Sequence, residues 1–200
     1  MLNLDSYTRN RIKKNPWLNQ QSQLIFVYGK EKMAMLLFYQ KEKEKDWRLC
    51  LKTRANIGIN GLGKTKEGDG KTPIGLFELG IAFGRERAVK TKLNYSTIEP
   101  DMYWVDDPSS FSYNQLVSCC KVGKDWSSAE HLSDYPVAYQ YAIEIRYNKE
   151  KVPGKGSGIF LHCTEGKPTK GCISIEKEKM KYLLEHLEKS TLIQILPFPK

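Results

Sequence analysis

The sequence lacks the features that mark several protein classes. No apolar run approaches the roughly 20 residues that a membrane-spanning helix needs, so no integral membrane segment is expected. No internal repeat or low-complexity linker is present. Gly70-Lys71-Thr72 ends like a phosphate-binding loop, but Thr65 stands where that loop needs its first glycine. A repeat protein and a nucleotide site of this kind are therefore not predicted.

A secretory signal is also missing from residues 1–23, which carry charges throughout and have no apolar core. Two interpretations stay open on this ground alone. The chain is either a mature domain whose export signal has been removed or a cytoplasmic protein. The segment 1–20 itself is polar and basic, and we expect it to form an N-terminal arm that packs weakly on the domain formed by residues 21–200.

The chain of 200 residues has five cysteines and three histidines. Because five is an odd number, the cysteines cannot all pair within the chain, and at least one thiol stays free or bonds elsewhere. Cys119 and Cys120 are adjacent and do not have the Cys-x-x-Cys spacing of a zinc site. No complete disulfide framework is predicted.

The composition is that of a basic globular protein. Apolar residues make up 40% and aromatic residues 11% of the chain, which excludes a disordered chain. The net charge of +9 favours a polyanion, such as nucleic acid or the anionic bacterial wall. Basic and acidic residues alternate at 41–45 and 176–179, however, as on a solvated surface. Nucleic acid is therefore not an expected partner.

Hydrophobic patterning predicts a single, mostly β domain that is largely antiparallel and has one clear helix. Strands are predicted at 23–28, 33–40, 47–52, 140–147, 158–162 and 192–196. The first two are separated by a hairpin turn at 29–32. A helix is predicted from about Glu176, because Met180, Leu183, Leu184 and Leu187 recur at helical spacing.

A candidate site lies between the last predicted apolar strand and that helix. His162 ends the strand, a loop with Gly and Pro follows, and Cys172 begins the next apolar run ten positions later. If the loop brings the two side chains face to face, the imidazole can deprotonate the thiol, which is the minimum for a cysteine nucleophile. A lone cysteine behind a glycine, such as Cys172 behind Gly171, is more often a small buried core residue than a nucleophile. Spacing alone leaves both readings open.

Several ordered motifs resemble one known family. TKGCIS at 169–174, with a histidine upstream, is similar to the active-site signature of the L,D-transpeptidase catalytic domain, the YkuD-like family. DGKTPIGLF at 69–77 resembles the DGKTPxGxF segment of that family, and WVDDP at 104–108, Tyr113-Asn114 and SAEHL at 128–132 resemble one of its branches. The resemblance covers about residues 50–196, and ordered motifs are more specific together than singly.

The resemblance implies a YkuD-like β-sandwich of mixed, largely antiparallel sheets with the main helix after the catalytic cysteine. It also implies a cysteine-dependent L,D-transpeptidase that crosslinks peptidoglycan. Such an enzyme cuts stem peptides at an L-to-D linkage through a thioester acyl-enzyme, needs no metal or organic cofactor, and works in the cell envelope. Oligomeric state is not predicted.

The same resemblance assigns the site residues. Cys172 is the expected nucleophile, His162 is the expected base, and Gly171 with Cys172 supplies N–H groups for the oxyanion. The sequence does not identify the partner that orients His162, for which a backbone carbonyl is one candidate. Expected substrate contacts are Lys170, Thr169, Ser174, His131, Glu130 and Trp104. The ion pair with His162 is expected to depress the thiol pKa.

Two departures from the family signature bear on this assignment. Lys170 replaces the usual second histidine, and the spacer after His162 is shorter than in the best-known members. We interpret Lys170 as a solvated lysine that contributes little to the thiol pKa.

Three alternatives remain beside the transpeptidase. Water as acceptor would make the same site an L,D-carboxypeptidase or endopeptidase. With Lys170 in place of the histidine, the chain would be a non-catalytic wall-binding module, against which the retention of Cys172 and His162 argues. A zinc site would use His162, Cys163 and Cys172 with His131 or His186. Adjacent residues on a strand point to opposite faces, which argues against the zinc site.

Overall fold

Strands are the predominant secondary structure of the computed structural model, which describes residues 3–42 and 46–199. The helices are α1 (Leu4–Lys14), α2 (Pro16–Asn19) and α3 (Lys177–His186). The strands are β1 (Gln23–Lys30), β2 (Met33–Lys41), β3 (Trp47–Asn56), β4 (Gly75–Gly84), β5 (Tyr95–Thr97), β6 (Met102–Val105), β7 (Leu116–Ser118), β8 (Ala129–His131), β9 (Tyr141–Ile145), β10 (Phe160–Cys163), β11 (Ile173–Ile175) and β12 (Leu192–Pro197). Short 3-10 turns lie at Leu132–Asp134 and Ala138–Gln140.

The main sheet has nine strands in the order β12-β1-β2-β3-β11-β10-β9-β4-β5. It closes on itself, because β12 pairs with β4 as well as with β1 and leaves β5 outside the ring. The pairs β1–β12, β10–β11 and β4–β5 are parallel, and the other pairs of this sheet are antiparallel. A small second sheet has the order β7-β6-β8. The prediction of a mostly β, mixed and largely antiparallel fold is confirmed.

The predicted elements of the main core are confirmed, with small differences at their ends. β1 and β2 form the antiparallel hairpin, and β3 extends to Asn56 beside β2. α3 buries Met180, Leu183 and Leu184 in the core enclosed by the sheet. β9 is less exposed to solvent than its alternating pattern indicates. Tyr141, Ile143 and Ile145 face the main core, and Ala142 on the opposite face packs in a separate apolar cluster. A strand covered on both faces has no solvent side.

The N-terminal segment is the main correction to the expected fold. Residues 4–14 and 16–19 are helical, and the expectation of a weakly packed arm is wrong. The Asn3 side chain caps α1 by accepting from the Asp5 and Ser6 N–H groups, which would otherwise lack partners. Leu4 and Ile12, eight residues apart, lie on one helix face and are buried. So few apolar residues in a basic segment give a weak helical pattern.

These helices cover the outer face of the β1–β2 hairpin. There Leu24, Phe26 and Tyr28 form a second core with Leu4, Ile12 and Leu18, which explains why β1 is apolar at every position from 24 to 28. The Thr8 hydroxyl lies 3.0 Å from the Tyr28 hydroxyl and joins the two layers by a buried hydrogen bond. The N-terminal helices are therefore part of the packed structure.

Replacing Ile12 by Ala should lower the free energy of unfolding by about 3 kcal/mol, because it removes a fully buried side chain and leaves a cavity. Lys13→Ala on the exposed side of the same helix is the matched control and should change it by less than about 0.5 kcal/mol. Urea denaturation measures both values. Equal values for the two variants would show that α1 does not contribute to the core.

The register of β10 and β11 positions the candidate site. Leu161 pairs with Ile173 and His162 with Ser174 in parallel, so the chain returns in the same direction after the loop. Continuing this register by one residue places Cys172 beside Phe160. Phe160 and His162 are two positions apart on β10, so their side chains share a face of the sheet. Cys172 lies beside Phe160, and His162 and Cys172 therefore face the same side.

Candidate active site

Cys172 lies where two cavities adjoin. The first, of about 330 Å³, is lined by His162 and Ser174 among others, and the second, of about 280 Å³, is lined by Trp104 and Gly158. The two cavities share four residues, Glu130, Tyr135, Lys170 and Cys172. The thiol is therefore open to a groove that continues on both sides of it.

Hydrogen bonds from several segments hold Cys172 in place. Its sulfur accepts from the Phe160 N–H at 3.3 Å, and its S–H donates to the Gly158 carbonyl at 3.2 Å. Its carbonyl accepts from the hydroxyls of Thr169 at 2.6 Å and Thr72 at 3.3 Å. The Gly-rich segment that contains Thr72 thus fixes the backbone of the candidate nucleophile.

Gly171 is required at its position for two reasons. Its φ of +148° lies in a region that L side chains rarely adopt, and a Cβ there would lie 3.0 Å from the Lys71 carbonyl oxygen. Its N–H donates to the Thr169 hydroxyl at 3.2 Å and is already engaged. The Cys172 N–H has no backbone or side-chain partner among residues 3–42 and 46–199. Of the two expected oxyanion donors, the Cys172 amide is the one left available.

His162 is buried, with 9% of its surface exposed. Its Nδ1 lies 2.8 Å from the Cys163 carbonyl oxygen. A carbonyl only accepts, so Nδ1 carries the hydrogen, and the lone pair of the neutral ring is on Nε2. Burial lowers the pKa of His162, and the Cys163 carbonyl and Glu165 only partly oppose this effect. The imidazole is thus oriented as a neutral base.

The thiol pKa differs from expectation. Burial and, to a smaller extent, the nearby Glu130 carboxyl raise the pKa of Cys172 to about 12, although the Phe160 N–H and Lys64 oppose the shift. The prediction of a depressed pKa is therefore wrong. Burial of Cys172 favours the neutral thiol and burial of His162 favours the neutral imidazole, so a resting thiolate–imidazolium pair is disfavoured.

The raised pKa predicts how alkylation depends on pH. The rate of Cys172 carboxamidomethylation by iodoacetamide should rise about tenfold for each pH unit from 7 to 9 with no plateau, because the thiolate fraction rises in that proportion below the pKa. Peptide mapping by mass spectrometry separates Cys172 from the exposed Cys119 and Cys120. A plateau below pH 8 would show that the resting thiol is already ionised.

The residues of the Thr169–Ser174 run divide into three roles. Thr169 uses its hydroxyl on the backbone of the loop. Lys170 is exposed at the rim and lines both cavities, as expected of a solvated lysine. Ser174 is 1% exposed, lines the first cavity with His162, and has a buried hydroxyl without a partner in the described chain.

Glu130 and Trp104 come from the small sheet and reach the groove. Glu130 accepts a hydrogen bond from the Tyr139 hydroxyl, and burial raises its pKa although that bond opposes the shift. Trp104 is buried against the edge of Phe160, with ring centroids 4.8 Å apart, and donates through Nε1 to Asn114 Oδ1 at 3.1 Å. Trp104 lines the second cavity and Glu130 lines both.

His131 is not brought to the groove, although it follows Glu130 directly. Its Nδ1 lies 2.9 Å from Asp134 Oδ1 and its Nε2 lies 2.6 Å from the Pro100 carbonyl oxygen. Its ring stacks on Tyr103 with centroids 4.6 Å apart. It is not among the residues that line either cavity around Cys172. Adjacent positions on β8 point to opposite sides, which separates it from Glu130.

Sequence reasoning missed two groups at the site, the Lys64–Asp69 pair and Tyr139. Lys64 Nζ lies 2.9 Å from Asp69 Oδ1 in a buried ion pair, and Lys64 lines the second cavity. Asp69 belongs to the DGKTPIGLF motif, which was the available signal. Tyr139 packs edge-on against His162, with centroids 5.8 Å apart. No sequence pattern distinguishes Tyr139 from the other tyrosines nearby.

The cysteine and histidine positions bear on the zinc alternative. The Cys163 thiol lies on the opposite face from His162, in the main core, and contacts the Tyr141 carbonyl at 3.6 Å. All five cysteines are free thiols. Across residues 3–42 and 46–199, no three His, Cys, Asp or Glu side chains are grouped to hold a metal ion. No helix in the same part of the chain is long and apolar enough to cross a membrane.

The family assignment rests on most of the chain. The family model of the L,D-transpeptidase catalytic domain, YkuD, matches residues 22–195. The chain therefore belongs to this family, as the motifs predicted, and membership implies transpeptidase chemistry on peptidoglycan at the cell wall. A search of curated proteins found no match.

Proposed function

We propose that the protein is an L,D-transpeptidase that transfers peptidoglycan stem peptides through a thioester on Cys172. The observation that carries the proposal is the position of Cys172 at the junction of two cavities, one of which it shares with His162. Membership of the family supplies the substrate class. Three further features support nucleophilic acyl transfer: the free thiol of Cys172 at the groove, the fixed tautomer of the His162 imidazole, and the available Cys172 amide.

The reaction follows from these positions in two steps. Nε2 of His162 takes the thiol proton as the sulfur bonds to the carbonyl carbon at the L-to-D linkage, and the carbonyl π pair moves to oxygen. When that pair returns, the C–N bond breaks and the leaving amine takes the proton from His162. A second stem amine then gives His162 its proton and displaces the sulfur. The departing sulfur takes this proton from His162, which regenerates the thiol, and the new amide crosslinks two stems.

Proton transfer and attack should be concerted in this site. A thiol with a pKa of about 12 has a very small thiolate fraction at neutral pH, so the resting ion pair of a preactivated cysteine is not formed. Burial makes His162 a weaker base, yet it leaves the imidazole neutral and able to accept a proton at neutral pH. Charges then form on the imidazole and on the substrate oxygen only after the substrate is bound. These opposite charges offset each other in the transition state.

The groove on both sides of Cys172 favours transfer over hydrolysis. An acyl donor and an amine acceptor must both reach the same sulfur-bound carbon, whereas hydrolysis needs room for the donor and one water. Two adjoining cavities of about 330 and 280 Å³ provide that room. Residues from four different segments, Lys64, Trp104, Glu130 and His162, line them and can contact two extended peptides.

The test is to incubate the protein with purified disaccharide-tetrapeptide and to separate the products by liquid chromatography with mass spectrometry. The proposal predicts a crosslinked dimer together with one released terminal D-amino acid per crosslink. Cys172→Ser protein should give neither product. Disaccharide-tripeptide without dimer would identify the L,D-carboxypeptidase instead. Unchanged substrate with a folded protein would favour the non-catalytic wall-binding module.

A further inference from the structure

Lys64 is a buried cation beside the candidate nucleophile. Only 2% of its side chain is exposed, and its Nζ donates to Asp69 Oδ1 at 2.9 Å and to the Lys66 carbonyl at 3.3 Å. An ammonium has three hydrogens, so one remains after these two bonds. Lys64 lines the second cavity together with Gly158, Gly171 and Cys172. The third hydrogen has no partner within residues 3–42 and 46–199, and Lys64 lines the cavity at Cys172 that His162 does not line.

Two glycines leave the space in which the Lys64 side chain lies. A Cβ on Gly156 would come within 2.5 Å of Lys64 Cε, and Gly156 also has a φ of +121°. A Cβ on Gly171 would lie 3.6 Å from Lys64 Nζ. The ammonium thus sits against the residue that precedes Cys172. The Lys64 side chain has this space because Gly156 and Gly171 carry no side chains.

Asp69 holds the Lys64 ammonium in place, but the position of the Asp69 carboxylate does not depend on Lys64. Its carboxylate accepts the N–H groups of Thr65 at 2.8 Å, Lys66 at 3.2 Å and Lys71 at 3.0 Å. Burial alone would raise the pKa of Asp69, but these amides and Lys64 lower it to about 2. Asp69 stays ionised at any working pH and keeps several partners when Lys64 is replaced. A charge-removing change at Lys64 therefore leaves the loop anchored.

We propose that Lys64 is a further catalytic residue, whose ammonium holds the oxyanion of the tetrahedral intermediate together with the Cys172 N–H. The inference rests on the proposed acyl transfer. The Gly171 N–H is engaged by Thr169, so the backbone provides one free donor where an oxyanion hole commonly uses two. Lys64 lines the same cavity as Cys172, with its Nζ against Gly171, and supplies the second donor. The base and the cation then approach the reacting carbon from different cavities, because His162 lines one of the two cavities that meet at Cys172 and Lys64 lines the other.

The role of Lys64 in the reaction is electrostatic. As the sulfur–carbon bond forms, the π pair of the substrate carbonyl moves to its oxygen, which becomes negative and accepts a hydrogen bond from Nζ. When the amine leaves, the pair returns to re-form the carbonyl and the hydrogen bond weakens. No proton or covalent bond passes to Lys64. A buried ammonium suits this role because charge interactions are stronger where water is excluded.

Lys64→Met, which keeps the length of the side chain and removes its charge, tests the proposal. Lys66→Met is the matched control, since Lys66 is an exposed lysine two positions away. Two rates are measured for each protein, acyl-adduct formation with disaccharide-tetrapeptide and alkylation of Cys172 by iodoacetamide. Alkylation forms no oxyanion and does not depend on the substrate class. It therefore reports the state of the thiol separately from acyl transfer.

The expected result for Lys64→Met is an acylation rate lower by about 100-fold or more, with alkylation falling much less. Lys66→Met should match the unmodified protein in both. Equal losses in acylation and alkylation would overturn the proposal in favour of a structural role. Acylation by Lys64→Met at the unmodified rate would overturn it outright. If the unmodified protein forms no adduct, the proposed function itself fails and the Lys64 role fails with it.

Folding is checked by the cooperative thermal transition of each variant. If Lys64→Met has none, Lys64→Gln takes its place, because an amide keeps a donor for Asp69 and carries no charge. The same selective loss of acylation is then expected. An acylation rate equal to that of the unmodified protein would overturn the proposal in this variant too.

Discussion

Cys172→Ser protein should form no detectable acyl adduct, with a rate at least about 10⁴-fold below that of the unmodified protein. A serine hydroxyl is far less acidic than a thiol, and the neutral His162 is too weak a base to deprotonate it at a useful rate. The fold should be retained. Cys172 is held mainly through its backbone carbonyl, and a hydroxyl can replace the S–H donor to Gly158. Intact-protein mass spectrometry and thermal melting measure the two properties.

Cys119→Ser is the matched control, because Cys119 is an exposed thiol outside both cavities. Its adduct rate should equal that of the unmodified protein. Adduct formation by Cys172→Ser protein would contradict the assignment of the nucleophile. Loss of the adduct in Cys119→Ser protein would show that a second thiol takes part.

His162→Ala should lower the acylation rate by about 10²–10⁴-fold, the usual contribution of a positioned general base. His186→Gln is the control, since His186 is an exposed histidine on α3 that lines neither cavity around Cys172. The rate of the unmodified protein should also fall at low pH. Because burial lowers the pKa of His162, the imidazole stays neutral to a lower pH than an ordinary histidine. The acid limb of kcat/KM should therefore lie below the ordinary histidine value of about 6.5.

The pH profile and the variant together decide the identity of the base. Loss of the acid limb in His162→Ala protein would assign that limb to His162. An unchanged acid limb with a small loss of rate would contradict the assignment. The next candidate base would be Glu130, which accepts a hydrogen bond from Tyr139 and whose pKa is raised by burial.

The strand–loop–strand around His162 and Cys172 could be predicted because its signals are local. Two apolar runs separated by a Gly- and Pro-containing loop fix β10 and β11, and the family motif points to the two side chains. α3 was predictable for the same reason, since four apolar residues at helical spacing lie within one segment. α1 was not, because its burial depends on the outer face of a hairpin that follows it in the chain.

The electrostatics of the site could not be predicted from the motif. The thiol pKa depends on Glu130, Phe160 and Lys64, which come from three other parts of the chain. The two lysines near the thiol look alike in sequence, yet Lys170 is exposed while Lys64 is buried against glycines. Burial of this kind follows from tertiary packing, and so do the engaged Gly171 amide and the position of His131.

The central claim is that Cys172 carries the acyl group, and trapping of the intermediate tests it most directly. The protein is mixed with disaccharide-tetrapeptide, quenched in acid within seconds, digested and mapped by mass spectrometry. We predict that the peptide containing Cys172 gains the mass of the disaccharide-tripeptide acyl group and that hydroxylamine removes this mass, as expected of a thioester. An acyl group on any other residue, or consumption of substrate without modification of Cys172, would contradict the account.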